Sequence, residues 1–524
     1  MNIVRRVHPT EPNKHSRLWI DKEIKDILVK DLGNAATRCI KLRHGDLHST
    51  LIMKGLKNMK ELRYLYVNNK SFGLRKGHDD SGWKFGEVSQ LYLPNALRFL
   101  HWHYYPYRCF PKTFEADNLV NLEMCFSNIS QLWEDGQNKV LNKLRFLNLS
   151  SSKLKTFNLG LTPHLERLKF AGCNEFVELR MPVECPNLKV LDLRWSKLSE
   201  LNLGLTPHLE MLDLGGCNDF MRLQMHVECS NLISLNATYS KLRTFDLRLT
   251  PNLERLHLGG CNDFVELHMP VKCPKLKLLD LRWCKLSNLN IGLTPHLVRL
   301  RNLNLGLTPH LERLDLGACN DFVELHLPVE CSKLRFLNLS YLKLRTFDLR
   351  LTPHLERLDL RGCNDFVELH MPVECPKLKI LDIRWSKLRT FNLGLTPHLE
   401  KLNPGACNDF VDLHIPVECP KLKFINLAYS KLRTMDLDQT PNLERLDLRG
   451  CNDFVELYMH VECPKLQSLD LRWSKLNNLN LGLTPHLERL DLGGCNDFDR
   501  RLPTCASIPN GTAIVTGYFV VKVE

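Results

Sequence analysis

The sequence predicts an α/β solenoid, a stack of short coils with a parallel sheet along a concave face and a mostly irregular convex side. Three observations predict it. A 44-residue unit recurs from about residue 161 almost to the C-terminus: its Thr-Pro step falls at Thr162, Thr206, Thr250 and Thr294 and, after a short irregular jump, at Thr308, Thr352, Thr396, Thr440 and Thr484. Each unit carries two leucine patterns, so it holds two coils. Neither coil is long enough to bury its own leucines, which only stacking against like neighbours can do.

The first coil type reads L-x-x-L-x-L-x-x-C-x-x-F-x-x-L, as in Leu209, Leu212, Leu214, Cys217, Phe220 and Leu223. The second reads L-x-x-L-x-L-x-x-S-x-L, as in Leu188, Leu191, Leu193, Ser196 and Leu198. Steps of 23 and 21 residues, from Leu165 to Leu188 to Leu209, are those of leucine-rich repeats, and the expected whole is a horseshoe of about nineteen such coils. In each L-x-L the leucines point inward and the residue between them outward, which makes a short strand. On the return, Thr-Pro and stretches such as Pro182 to Pro186 remove backbone donors and favour extended or turn conformations, so short 3₁₀ returns are expected in place of long helices. Between Leu293 and Gly306 a unit is compressed to a fragment too short for a coil, and a bulge or local break in the stack is expected there.

Composition bounds the function. Of 524 residues, 44% are hydrophobic and 25% charged, as in ordinary soluble proteins, and the late apolar run from Ala513 to Val521 is too short to span a bilayer. The basic N-terminus has no apolar core of the kind a secretory signal needs, so no membrane association is expected and the cytoplasm, or the nucleus, is the expected compartment. The 20 cysteines fall mostly in two columns. Like cysteines stand two coils apart, roughly 10 Å, beyond disulfide reach, which predicts reduced buried thiols. Cys261 and Cys284 are the one adjacent-coil pair. His and Cys also recur, as in His268 and Cys273, but no C-x₂-C pair occurs, and ligands repeated at coil pitch describe a ladder; no metal and no cofactor are expected.

Net charge is +12. The outward strand positions are nevertheless largely acidic or amide, including Asp192, Asp213, Asn236, Asp280, Asp315, Asn338, Asp359, Asp382, Asn426, Asp447, Asp470 and Asp491, and arginine columns flank them. The sequence reading is of solvated, mutually neutralising salt-bridge ladders, with no single-sign basic stripe and hence no nucleic-acid partner. One column stands out: Trp195, Tyr239, Trp283, Tyr341, Trp385, Tyr429 and Trp473 alternate Trp and Tyr at one outward slot, with Arg194, Arg282, Arg384 and Arg472 before the tryptophans. Trp, Tyr and Arg are the residues that dominate interface hot spots, so these eleven are the candidate partner-binding residues. The competing reading is a surface stack copied by duplication.

Before Leu161 the repeats are degenerate. Trp102, Tyr105-Pro106, Phe110-Pro111, Asn118-Leu119-Val120, Ser127-Asn128-Ile129 and Leu132-Trp133 resemble the first repeats of plant intracellular immune receptors, the Toll/interleukin-receptor, nucleotide-binding, leucine-rich-repeat disease resistance proteins. Upstream, Arg17-Leu18-Trp19 and Gly33 resemble the segment joining that family's nucleotide-binding module to its repeats. The resemblance implies the end of a winged-helix subdomain and a linker over 1–55, with a short helix at Lys22 to Leu32. Degenerate repeats follow over 56–160, with a first strand at Met59 to Val67, then regular repeats over 161–498 and a tail over 499–524. That tail's apolar Ile514 to Val521 stretch is expected to pair as a last edge strand or leave the final coil exposed.

No G-x-x-x-x-G-K-[ST] phosphate loop occurs, so the family's nucleotide and NAD chemistry has no residues here onto which to be carried. The expectation is a non-enzymatic scaffold, a truncated receptor or partial gene product, whose repeats would contact a pathogen effector or guarded host protein and, in a full-length receptor, its own nucleotide-binding module. The alternative is a free-standing adaptor recruiting a client protein, although no F-box-like helix precedes the repeats. A cysteine-nucleophile enzyme would need a thiol outside the ladders, such as Cys39, Cys109, Cys125 or Cys505, and none has a local catalytic signature.

Overall fold

Three-residue strands with a central leucine bury that leucine and leave the residue before it at least partly exposed, and this pattern repeats along the chain, from Phe146–Asn148 to Arg489–Asp491. The computed structural model describes residues 11–43, 47–68, 91–134, 139–268, 274–285, 308, 310–319, 331–371, 375–476, 479–495, 513–516 and 519–522. They fall into two units, Met1–Arg243 with Arg248–Arg255, and Thr244–Leu247 with Leu256–Glu524.

In the first unit a parallel ladder runs from Arg17–Leu18 through Cys39–Leu42, Tyr64–Asn68, Phe99–His103, Asn121–Glu123, Phe146–Asn148, Arg167–Lys169, Val190–Asp192 and Met211–Asp213 to Ser234–Asn236. Its register sets leucine on leucine, Leu191 between Leu168 and Leu212. The expected first strand is present at Tyr64–Asn68, but two strands precede it: Ile40 and Leu42 alternate at strand period and pair with Leu65 and Val67 without a full leucine motif. The expected helix is Asp21–Val29. It buries Ile24, Ile27 and Leu28 and packs against Ser49–Gly55, crossing so closely at Gly55 that a Cβ there would lie 2.7 Å from the Leu28 carbonyl oxygen.

The second unit repeats the scheme from Leu278–Asp280 through Arg313–Asp315, Phe336–Asn338, Arg357–Asp359, Ile380–Asp382, Lys401–Asn403, Phe424–Asn426, Arg445–Asp447 and Ser468–Asp470 to Arg489–Asp491. The compressed stretch 293–306 lies outside the described residues. The ladder is unbroken across it all the same, with Leu279 opposite Leu314, a longer step along the chain than the one from Leu191 to Leu212. The described strands on either side of the compressed stretch thus pair directly in the sheet, and the expected bulge or break falls on residues outside the described ones. The tail pairs as expected: Ala513–Thr516 adds a parallel strand to Arg489–Asp491, and Phe519–Lys522 folds back antiparallel on it.

The returns include the expected 3₁₀ turns, at Leu159–Leu161, Leu349–Leu351, Leu393–Leu395 and Leu481–Leu483. In each, the side chain of the preceding Asn or Asp accepts the N–H two residues on, and the threonine of Thr-Pro closes the turn, as Thr396 Oγ1 does on the Leu393 carbonyl at 3.2 Å. A second series of two-stranded parallel pairs accompanies them, such as Thr156–Asn158 with Glu178–Arg180 and Thr434–Asp436 with Glu456–Tyr458. Among the described residues no helix is long and apolar enough to cross a membrane.

Among the described residues the column cysteines are buried, apart from the half-buried Cys331. Ladder thiols donate to the main chain of the preceding coil, Cys217 Sγ to the Leu193 carbonyl at 3.1 Å, with Ser196 Oγ at 3.3 Å. Burial raises the Cys217 pKa and pushes that of Cys363 up to about 12, so these thiols stay protonated at neutral pH. Cys284, which stands where most other coils of its type carry serine, donates to Leu258 O as Cys319 on the next rung does to Leu281 O.

Candidate interaction surface

The residue four places after each central strand leucine ends the strand in the left-handed region, with φ between 57° and 80° in coil after coil. The alternate coils of the regular repeats fill this slot with Gly172, Gly216, Gly260, Gly362, Gly450 and Gly494, which suit that conformation, or with Ala318 and Ala406. The coils between fill it with Trp195, Tyr239, Trp283, Tyr341, Trp385, Tyr429 and Trp473, at a backbone cost of about 1–2 kcal/mol each. Backbone preference thus favours glycine, and the aromatics stand there for their rings.

Alternation has a packing reason. A Cβ on Gly216 would lie within 2.4 Å of Trp195 Cε3, one on Gly450 within 2.4 Å of Tyr429 Cδ1, and one on Gly494 within 2.3 Å of Trp473 Cδ1. Each of these rings leans flat onto the glycine of the following coil. The residues nevertheless stay about half exposed, from 45% for Trp385 and Tyr429 to 57% for Trp195. In the second unit every one of the five rings has a guanidinium above it: Arg282 over Trp283 at 5.8 Å, Arg361 over Tyr341 at 5.8 Å, Arg384 over Trp385 at 5.5 Å, Arg449 over Tyr429 at 5.6 Å and Arg472 over Trp473 at 5.8 Å.

The arginines that precede tryptophans are held from below. Arg194 makes a fork on Asp192 at 2.9 and 2.8 Å and reaches Asp213 at 3.4 Å; Arg282 does the same on Asp280 and Asp315, and Arg472 on Asp470 and Asp491. Charge neutralisation between the columns holds, but their solvation does not. Asp192, Asp280, Asp315, Asp359, Asp447 and Asp491 are buried, and each carboxylate folds back to accept the N–H two residues on. Burial raises the pKa of Asp213, Asp359 and Asp447.

All eleven sequence candidates therefore lie at the strand ends of their units: Arg194, Trp195 and Tyr239 in the first, Arg282, Trp283, Tyr341, Arg384, Trp385, Tyr429, Arg472 and Trp473 in the second. Four further residues join these candidates, two of them, Arg361 and Arg449, from the flanking arginine columns of the sequence. Arg361 and Arg449 sit one place before the glycine slot of the other coil type and cover the tyrosines. Tyr104 and Phe126 fill the slot in the degenerate repeats, with φ of 60° and 58°, and stack at 5.3 Å and 15°. Counting four residues on from Leu100 and Leu122 would have found them. Of the thiols a cysteine enzyme would need, Cys39 and Cys125 have pKa values raised by burial, Cys125 to about 12, Cys109 is buried, and Cys505 lies outside the described residues.

No model of a known protein family matches the chain. It is similar to disease resistance-like protein DSC1 of Arabidopsis thaliana, 33% identical over 186 residues, which are 34% of this chain and 14% of that protein. It is also similar to RPV1 of Vitis rotundifolia, 31% identical over 199 residues (34% and 14%), and to TMV resistance protein N of Nicotiana glutinosa, 29% identical over 177 (33% and 14%). Its relatives are plant disease resistance proteins. The chain spans 14% of the length of each of these relatives. Among solved structures, YopM from Yersinia enterocolitica superposes with a TM-score of 0.56 at 21% identity, covering 82% of this chain and 89% of that one, a likeness of leucine-rich-repeat fold alone.

Proposed function

We propose that the chain is the protein-binding, non-catalytic scaffold of a cytoplasmic plant disease resistance protein, and that its aromatic and arginine columns contact a pathogen effector or guarded host protein. In a longer receptor the same repeats would also restrain the nucleotide-binding module. The relatives support the defence context. The observation that carries the binding reading is the row of half-exposed Trp and Tyr rings held in a conformation that glycine would fill more cheaply, each in the second unit paired with an arginine.

The test takes a partner selected by two-hybrid screening of host and pathogen proteins and measures its affinity for purified variants. Replacing Trp283, Trp385 and Trp473 with Ala is expected to weaken binding by at least about tenfold with an unchanged melting temperature, since hot-spot truncations cost about 2 kcal/mol or more. Leu281→Ala and Leu358→Ala, which hollow the core, are expected to cost about 2–5 kcal/mol of stability and to lose binding only through unfolding. Unchanged affinity in the triple tryptophan variant would reduce the column to a by-product of duplication.

A further inference from the structure

On the return side of the second unit, two facing positions depart together from the rest of the array. The slot two residues beyond the first strand of each secondary pair holds Gly160, Gly204, Arg248, Arg350 or Gly394, but Asp438 in one unit. The slot that faces it, on the second strand's side of the pair, holds Pro182 or Pro416, but His226 and His460 in two. Where glycine meets proline there is no room for a side chain: a Cβ on Gly394 would lie 2.6 Å from Pro416 Cγ, and one on Gly160 2.9 Å from Pro182 Cγ.

With the pair replaced by Asp and His, the two side chains turn to each other, His460 Nδ1 standing 2.8 Å from Asp438 Oδ2. Asp438 Oδ1 accepts the main-chain N–H groups of His460 at 2.7 Å and Val461 at 3.3 Å. Asp436, the last residue of its strand, uses Oδ1 to accept the Asp438 N–H at 2.9 Å. Each carboxylate is thus fixed by one oxygen and offers the other. Tyr458 lies parallel to the His460 ring, 6.3 Å away at 5°, and its hydroxyl donates to Glu456. One donor atom from each of Asp436, Asp438 and His460 lies within 4.8 Å of the others, the only such group of three among the described residues.

We propose that Asp436, Asp438 and His460 form a surface site for a divalent cation of the zinc type, its remaining positions open to water or to a partner's side chain. With the two donors 2.8 Å apart, an ion about 2.1 Å from each would see them near a right angle, the angle between neighbouring ligands in a six-coordinate site completed by water and not that of a closed tetrahedral one. An imidazole among carboxylates favours zinc and its neighbours over calcium, which takes oxygen donors only. The chain's fold supplies what an exposed site ordinarily lacks, orientation of the carboxylates by main-chain N–H groups. Binding requires His460 neutral with its proton on Nε2, leaving the Nδ1 lone pair for the ion. Sequence spacing does not reveal the site, because His460 stands a full coil away from Asp436 and Asp438 along the chain and meets them only once the coils are stacked.

The competing account is purely structural: with proline gone, His460 gains an N–H, and Asp438 caps it. Calorimetric titration of the full-length, reduced chain with ZnCl₂ separates the two. Asp438→Asn keeps the Oδ1 cap and removes the ligand charge; His460→Gln removes the imidazole; His226→Gln, whose facing residue is Gly204, is the control for a histidine without acids. The site predicts that Asp438→Asn and His460→Gln each weaken the tightest zinc event by at least about tenfold, while His226→Gln leaves it unchanged and all three melt as the parent does. Identical isotherms for the parent, Asp438→Asn and His460→Gln would overturn it, as would an equal loss in His226→Gln.

Discussion

Asp315 shows how one residue type comes to serve two opposed ends on the ladder. Its carboxylate accepts the Gly317 N–H at 3.2 Å and the Asn338 amide at 2.8 Å, which closes the strand, yet it is buried beside Asp280. Arg282 forks onto Asp280 at 2.9 and 2.8 Å and reaches Asp315 only at 3.4 Å. The two carboxyls accordingly shift in opposite directions: burial and then the Asp280 charge push Asp315 up to about 6, whereas at Asp280 burial is outweighed by the nearby His257 imidazole, 3.9 Å away, and the hydrogen bonds and charge of Arg282, which hold it down. A carboxyl raised in the folded state destabilises the fold once it ionises, so its cost is absent below the unfolded value of 3.8 and complete above about 6. Asp315→Asn keeps an acceptor for Gly317 and matches Asn338 at the equivalent position. It is expected to stabilise the protein by on the order of 1 kcal/mol at pH 7.5, the gain shrinking as pH falls toward 4. Urea unfolding at the two pH values checks it; equal or lower stability at pH 7.5 contradicts it. The sequence identified these positions as outward and acidic but misread them as solvated, because alternation reports which way a residue points and not what its neighbours fold over it.

Elements were legible where one motif served one strand. L-x-L recurring at two alternating steps located the ladder, and Thr-Pro located the 3₁₀ returns. The second series of strands was not legible, because Thr-Phe-Asn and Glu-Leu-His are each too short a run for strand period to be told from an irregular return. The first two ladder strands were missed for a related reason, since Arg17–Leu18 and Cys39–Leu42 carry the alternation without the flanking leucines. At the far end, the tail was legible as a candidate edge strand, and the hairpin of Ala513–Thr516 and Phe519–Lys522 covers the hydrogen-bonding edge of Arg489–Asp491. Open strand edges template association. Removing residues 511–524 is therefore expected to convert a monomer into concentration-dependent oligomers on size exclusion with light scattering. A truncated chain that stays monomeric at the same concentrations would show that the hairpin is dispensable.

Across the whole array, repetition makes each coil answer chiefly to its neighbours, so an irregularity matters only if it removes a rung. The surplus stretch does not: Leu279 faces Leu314 as Leu191 faces Leu212. The same reasoning explains why the aromatic column was readable from sequence while the Asp438–His460 pair was not, since a column declares itself by recurrence and a site made by departure from the repeat declares itself only once the coils are stacked. Deleting residues 293–306 makes the connection from Leu279 to Leu314 as long as the one from Leu191 to Leu212, which joins the same two coil types. Closing the longer connection costs more chain entropy, but only by about 0.5 kcal/mol for that ratio of lengths. The deletion is therefore expected to leave stability within about 1 kcal/mol of the parent and to keep partner binding. Deleting only residues 293–299 serves as the comparison, since any connection long enough to close is tolerated if the surplus is mere slack, and the two deletions then melt alike. Chemical unfolding of both variants decides the matter: a large loss in the longer deletion alone would mean that the surplus residues hold structure on which the adjoining coils depend.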